Sequence, residues 1–330
     1  MSDSKSSFKL GGHCYSDSEI PLSDTIKECK KAGWSCLQTF LGDSNDFKNR
    51  RVLITSDRKK CITECADDND SFRVYTHFPY NMSLVKKKTK FSMKGLQDEI
   101  NTLSAFGGRV VIHPNSPDGT GNLNKDNVDE ESDEYIAQYR NAIDIMIENL
   151  KLLSFPELQG NSEARSDLEN KNAYSLLLEP PANEGRKIGG TFSQIKYITK
   201  QLIKNNLSDK VGFCIDTCHS HAAGLSEFDT EKSVNKFFNR LDRYGTLPLV
   251  KCVHLNDSQT KFGSRIDRHE SLCKGYIWEG KEEGFIAFVR KCRQLNIDII
   301  CETAAIQGVP LCFMALEDSD NEIESEVEEY

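Results

Sequence analysis

Val253-His254-Leu255-Asn256-Asp257, followed ten residues later by Asp267-Arg268-His269, closes an apolar run that begins at Leu249. The run Leu249 to Leu255 reads as a buried strand delivering His254. An extended backbone sends alternate residues the same way, so Asp267 and His269 point together. Few structural roles gather imidazole and carboxylate groups just past one strand, and a metal site is the natural reading. Nitrogen and oxygen donors with almost no cysteine nearby point to zinc first and manganese second.

Seven more strand-like runs punctuate the chain, at Phe8 to Cys14, Ser35 to Phe40, Arg73 to His77, Arg109 to His113, Ser175 to Glu179, Val211 to Asp216 and Ile297 to Glu302. Most segments between them carry helical patterning, as in Ser92 to Phe106, Ser132 to Leu153, Thr191 to Asn205, Glu231 to Tyr244 and Glu283 to Leu295. Strands alternating with helices predict a parallel sheet. Six of the eight runs finish in histidine or a carboxylate, namely His77, His113, Glu179, Asp216, His254 (one residue early) and Glu302. A single (β/α)8 barrel collects such ends into one site. Taken singly, a histidine at a strand end is more often structural. Six polar termini would each need a separate partner, because unpaired buried polar groups are costly, whereas one metal cluster satisfies them together. Asp216-Thr217-Cys218-His219 adds a further donor one turn past a strand end.

Length and composition set bounds. The chain has 330 residues and twelve cysteines, which fits one α/β domain over residues 1–316 with loop insertions. Residues 317–330 form an acidic tail whose charge predicts disorder. Cysteines without a secretory segment imply a reducing compartment and structural thiols. Cys61 with Cys65, and Cys214 with Cys218, are spaced wrongly for a zinc ribbon. Cys218 and His219 are adjacent on a turn and cannot face each other as thiolate and base. No window is apolar enough to span a membrane, and Met1 to Lys9 is polar, so a soluble intracellular protein of the cytoplasm or nucleus is expected. The net charge of -9 is concentrated in the tail, where Glu317 to Glu329 holds eight acidic residues and no basic one. Divalent ions would turn the remainder positive, so a polyanion partner is not excluded. Lys86, Lys87, Lys88, Lys90, Arg186, Lys187, Lys261, Arg265 and Arg268 fall in loops expected on or near the metal-bearing face.

Gly212-Phe-Cys-Ile-Asp-Thr-Cys-His-Ser-His-Ala-Ala-Gly224, His254-Leu-Asn-Asp257 and Phe262-Gly-Ser-Arg-Ile-Asp-Arg-His269 resemble the signature motifs of the endonuclease IV family of apurinic/apyrimidinic (AP) endonucleases. The resemblance runs from about Gly11 to Thr303 and takes in Thr76-His77-Phe-Pro-Tyr80, Ile112-His113-Pro114, Leu178-Glu179 and Cys301-Glu302-Thr303. It implies a TIM barrel carrying three zinc ions, with manganese as a substitute at one of them. His77 and His113 would hold the first ion, and Glu179 would bridge it to a second. Asp216, His254 and Glu302 would complete the second shell, and His219, Asp267 and His269 would hold the third. The implied activity is phosphodiester hydrolysis beside abasic sites in damaged double-stranded DNA, carried out by a monomer without a covalent nucleophile. Glu302 would handle the attacking water beside the bridging Glu179. Tyr80 matches the family tyrosine that enters the duplex, and Arg265 and Arg268 are the best-placed phosphate contacts.

Several segments depart from the family pattern. Gly42 to Phe47 stands where the family commonly has a loop rich in glutamine and arginine, leaving the inserting arginine missing unless Arg50 or Arg51 replaces it. Ser116 to Glu134 and Phe155 to Asn172 are insertions that read as surface excursions. Pro180-Pro181 removes two backbone donors next to Glu179. Past Glu302, the stretch Ala304 to Leu316 is broken by Pro310 and predicts a short or irregular closing helix. The alternative activity is a metal-dependent sugar isomerase or epimerase on the same barrel, which generally uses one or two metals. A catalytically inert DNA-binding scaffold is the remaining reading.

Overall fold

A computed structural model describes residues 8–14, 20–41, 44, 55–66, 72–86, 90–117, 133–155 and 175–327. Eight parallel strands close into a barrel: β1 (Leu10–His13), β2 (Cys36–Thr39), β3 (Arg73–His77), β4 (Arg109–Ile112), β5 (Leu176–Leu178), β6 (Val211–Asp216), β7 (Val250–Leu255) and β10 (Asp298–Cys301). These are the eight runs read from the sequence, trimmed by a residue or two at several ends. Parallel strands covered on both sides need apolar residues throughout, and Leu176 to Leu178, Val211 to Ile215 and Ile299 to Cys301 are all buried. Pairing is in sequence order, with β10 closing against β1.

Helices α1 (Leu22–Lys31), α2 (Thr55–Cys65), α3 (Lys90–Ser104), α4 (Asp133–Leu150), α5 (Phe192–Lys204), α7 (Glu231–Arg243), α8 (Glu282–Gln294) and α9 (Ala305–Val327) accompany the strands, while the short α6 (Thr217–Ala222) follows β6 directly. Local chemistry sets their ends. Thr191 caps α5 by accepting from the Gln194 amide, and Thr230 and Ser233 form a reciprocal capping box at α7. The buried face of α7 presents Phe237 and Phe238 to Phe228 and Phe288 at ring separations of 4.9 to 5.4 Å. A two-stranded antiparallel ribbon, β8 (Asp257–Ser258) with β9 (His269–Glu270), follows β7. β1 contains Gly11 and Gly12 because a side chain at either place would collide with the Cys36 carbonyl of β2 or with Ala305 of α9.

The closing helix corrects one expectation. α9 is neither short nor irregular but runs through Pro310 to Val327. Val309, Cys312, Ala315 and Leu316 are buried on one side of it, and this packing outweighs the hydrogen bond that Pro310 removes in its second turn. α9 takes in most of the stretch expected to be a disordered acidic tail, up to Val327, while the side chains past Glu317 and the last three residues lie outside the described residues. The same holds for most of the two insertions, for the arginine-poor loop apart from Ser44, and for Arg50 and Arg51. Among the described residues no helix is long and apolar enough to cross a membrane.

At the end of the barrel where the strands begin, Asp298 is 1% exposed. It accepts from the Lys9 amide at 3.0 Å, from the Tyr75 hydroxyl and from the Arg73 guanidinium, with Arg109 3.8 Å away. Burial and the neighbouring Arg109 together lower the Lys251 amine to about 8, so cations outnumber carboxylates in this cluster. Asp298→Ala should therefore cost about 3 kcal/mol, because it strands two guanidinium groups with little solvent. Urea unfolding measures this, and a loss below about 1 kcal/mol would mean that water already satisfies those arginines.

Candidate metal centre

The opposite end of the barrel collects the polar strand termini. Glu179, one residue past β5 and 1% exposed, lies at their centre. Its Oε2 is 3.0 Å from His77 Nε2 at the end of β3 and 3.5 Å from His113 Nε2 past β4. Its Oε1 is 2.9 Å from His254 Nδ1 on β7 and 3.4 Å from His219 Nδ1 on α6. Backbone carbonyls set three of these rings, the His113 ring through its Nδ1, 3.3 Å from Glu179 O. Phe78 O is 2.8 Å from His77 Nδ1, and Pro180 O is 3.1 Å from His219 Nδ1. The Pro180-Pro181 pair thus supplies an acceptor where only a loss of donors was anticipated.

Asp216 ends β6 and caps α6, its Oδ1 accepting from the His219 amide at 2.7 Å. Its Oδ2 is 3.6 Å from His269 Nε2. Asp267 reaches His219 Nε2 and His269 Nε2, both at 3.1 Å. Glu302, one residue past β10, has Oε1 3.4 Å from His254 Nδ1 and Oε2 3.8 Å from His269 Nδ1. Four trios place donor atoms close enough to share an ion: His77, His113 and Glu179; Glu179, Asp216 and His254; Asp216, His219 and His269; and Cys218, Asp267 and His269. Eight of the nine candidate ligands appear in these trios, and Glu302 joins them through His254 and His269. The Cys218 thiol is pushed up by burial and by Asp216, which makes it the reluctant donor of the fourth trio. The donor set is otherwise imidazole and carboxylate, which fits zinc.

Three side chains that the sequence did not single out hold this arrangement. Gln38 on β2 donates to Glu302 Oε1 at 2.7 Å, while its own carbonyl oxygen lies 2.8 Å from His254 Nε2. Asn256 donates to Asp216 Oδ2 and Glu302 Oε2, each at 2.8 Å, and accepts from the Thr303 hydroxyl. His13 ends β1 with its Nδ1 3.1 Å from Gln38 Nε2, and its ring lies 5.2 Å from that of Phe40. Asn256 stood in the opening motif, and its position between two ligand-bearing strand ends was the available signal. Asp257 from the same motif turns away from the cluster. It accepts the amides of Ser258, Gly275 and Ile277 and so folds the loop that follows.

Tyr80 stands at the rim, 44% exposed, its ring 4.9 Å from that of His77 and 5.8 Å from that of His113. Arg265 and Arg268 are exposed on the loop between β8 and β9. Arg265 adopts a left-handed backbone (φ 57°), and its amide is tied to Ala222 O at 2.9 Å. Lys187 lies near enough to Asp267 and Glu179 to feel their charge, while burial lowers its pKa.

A family description of xylose isomerase-like TIM barrels matches residues 26–310. A "Probable endonuclease 4" of Mycoplasmopsis agalactiae is 28% identical over 314 residues, covering 92% of this chain and 94% of that one. Another "Probable endonuclease 4", from Nitrosopumilus maritimus, is 31% identical over 238 residues, covering 71% of this chain and 72% of its own length. The crystal structure of endonuclease IV from Thermus thermophilus superposes with a TM-score of 0.69 at 21% identity, covering 94% of this chain and 99% of that one, and so shares the fold. The chain belongs to the endonuclease IV family within the xylose isomerase-like TIM barrels.

Burial and neighbouring carboxylates pull several of the imidazoles in opposite directions. Burial opposes a proton on His254 and on His269, but Glu179 and Glu302 raise the first to about 10, and Asp216 and Asp267 raise the second to about 9. Burial, only partly offset by Glu302 and Glu179, lowers His13 and His113 to about 4, and burial with Lys281 does the same to His221. A raised histidine stabilises fully below its ordinary 6.5 and loses that contribution as pH rises through its folded value. A lowered one destabilises once the unfolded chain protonates below 6.5. The melting temperature of chelator-treated protein should therefore peak near pH 6.5 and fall on both sides. Metal uptake must displace the protons on His254 and His269, so binding should release protons and weaken as pH falls. A melting temperature that climbs steadily from about pH 6.5 to about 9 would contradict the assignment of charged imidazoles.

Proposed function

We propose that the chain is a zinc-dependent AP endonuclease of the deoxyribonuclease IV type, acting in base excision repair. It hydrolyses the phosphodiester 5' to an abasic site in duplex DNA and leaves 3'-OH and 5'-deoxyribose phosphate ends. The observation that carries this reading is the convergence of nine imidazole and carboxylate donors on one barrel mouth, with Glu179 shared between neighbouring trios. The endonuclease 4 relatives support it. His77, His113 and Glu179 would hold one ion, Glu179, Asp216, His254 and Glu302 a second, and His219, Asp267 and His269 a third. When bound, zinc supplies Lewis acidity to the phosphate oxygens and lowers the pKa of water.

The side chains do the rest. Glu302 is lowered to about 2, because His254, His269 and His13 outweigh burial and the nearby Glu179, so it is ionised and can orient the attacking water and take its proton as the phosphorus–oxygen bond forms. Gln38 and Asn256 each donate to one of its oxygens and fix its orientation. Glu179, surrounded by imidazoles, stays ionised as the bridge. Water adds to phosphorus as the 3' oxygen of the upstream nucleotide leaves. Tyr80 offers a flat ring at the rim for stacking on exposed bases, and Arg265 and Arg268 contact flanking phosphates. Metal content and cutting together separate this reading from its rivals. The nuclease should bind three zinc ions and cut a duplex carrying one tetrahydrofuran abasic analogue. An isomerase or epimerase would hold one or two metals, an inert scaffold few or none, and both would leave the duplex whole.

Glu302→Gln should preserve the fold and most of the zinc while lowering single-turnover incision by about 10²–10⁴-fold, the usual contribution of a positioned base. Near-normal incision in a zinc-replete variant would remove Glu302 from that role. Gln38→Leu should lower metal affinity or incision by about 10–100-fold, since it frees both Glu302 and His254 from the partner that orients them. Chelator competition followed by incision of the same analogue measures both, and wild-type values in each would mean that Gln38 only fills space.

A further inference from the structure

Ten of the twelve cysteines are buried, and only Cys14 and Cys273 are partly exposed. Three pairs of sulfurs lie in contact. Cys301 and Cys312 are 3.8 Å apart, and Cys214 touches Cys252, but all four are buried away from solvent. The third pair differs. Cys14 Sγ is 3.5 Å from Cys29 Sγ, with Cys14 just past the end of β1 and Cys29 on the buried face of α1. Cys273 has the exposure, but burial with Asp257 and Glu282 pushes its thiol up to about 11. Cys14 is the thiol that combines access to solvent with a second sulfur in hydrogen-bonding contact.

We propose that Cys14 and Cys29 form an oxidative modification site, a dithiol that hydrogen peroxide converts to a reversible disulfide. The geometry asks for little movement. A disulfide has sulfurs about 2.05 Å apart, so the pair must close by about 1.5 Å, within reach of side-chain rotation at a strand end and on a helix. Beside this geometry, the contact lowers the Cys14 thiol and raises that of Cys29, which makes Cys14 the sulfur that attacks first and Cys29 the one that resolves. In the first step Cys14 sulfur attacks the peroxide O–O bond. A sulfur–oxygen bond forms, and the departing hydroxide takes up the thiol proton as water. Cys29 sulfur then displaces the hydroxyl from Cys14, forming the S–S bond, and the Cys29 proton leaves with that hydroxyl as a second water. Two thiols give up two electrons, and one peroxide accepts them. The bond ties the end of β1, one residue past His13, to α1.

The test treats the full chain with a few equivalents of hydrogen peroxide and follows intact mass and joined peptides. Wild type should lose two hydrogen masses faster than Cys273 is oxidised, yield a peptide pair joining Cys14 to Cys29, and recover its mass with dithiothreitol. Cys29→Ser should trap a dimedone-reactive sulfenic acid at Cys14, while Cys14→Ser should oxidise only slowly. Accumulation of sulfinic acid at Cys14 in the wild type, or a Cys273 that reacts first, would overturn the proposal. Peptide mapping on the wild-type chain decides both outcomes whether or not either serine variant folds.

Discussion

Glu179 is the constraint around which the rest of the molecule is arranged. A carboxylate 1% exposed stays ionised in a protein interior only when cations or donors surround it, and four imidazoles lie within 3.5 Å of its two oxygens. Those imidazoles arrive from the ends of β3, β4 and β7 and from the first turn of α6. No local segment could assemble them. They meet because the barrel is closed and parallel, so that every strand delivers its last residue to the same rim. β5 is only Leu176–Leu178, which places Glu179 at the start of the following loop, and Pro180-Pro181 fixes the direction in which the chain then leaves.

The rim is short of cations. Glu179, Asp216, Asp267 and Glu302 meet within a few ångströms, and the imidazoles that balance them do so by keeping protons: His254 and His269 are raised, and His219 is raised well above its usual value by Asp216 and Asp267 despite burial. The opposite end of the barrel has the reverse imbalance, one buried carboxylate among Arg73, Arg109 and Lys251. Asp298 there is saturated by the Lys9 amide, Tyr75 and Arg73 and has nothing left to offer a ligand. Charge is therefore buried at both ends in opposite senses, a carboxylate among cations that ties strands together at one and clustered carboxylates and imidazoles that could hold a metal ion at the other.

Much of this was legible in the sequence for a physical reason. Parallel strands buried on both faces must be continuous apolar runs, and a polar residue that ends such a run abruptly needs a partner, so both the strands and the site showed in one pattern. His77, His113, Glu179, Asp216 and Glu302 could all be picked out as the stops of such runs. What stayed hidden lacked that contrast. Gln38 lies within a strand, where glutamine reads as an outward-facing polar residue, and its inward position comes from barrel closure alone. His13 ends a strand that is half glycine, so it follows no apolar run. The length of α9 was hidden behind Pro310, because the burial of Val309, Cys312, Ala315 and Leu316 depends on β1 and α8, which lie outside the local sequence. Asp257 shows the opposite failure: it has a ligand's residue type in a ligand's motif, yet it serves the amides of the next loop.

Gln38 and Asn256 explain how a cluster of like charges can stand ready before any ion arrives. Each bridges two elements. Gln38 joins Glu302 to His254, and Asn256 joins Asp216 to Glu302, so the carboxylates keep their relative positions through neutral donors as well as through the charged imidazoles. Such amides cost nothing when metal binds, since they neither titrate nor compete for it, whereas the protons on His254 and His269 must leave. The folded chain thus holds its candidate donors in place partly through neutral amides. An ion that binds only the folded state adds RT ln(1 + [L]/Kd) to stability, and here it also replaces protons that the site must otherwise keep. Folding and the proposed ion uptake would in this way be one linked equilibrium, with Glu179 common to both.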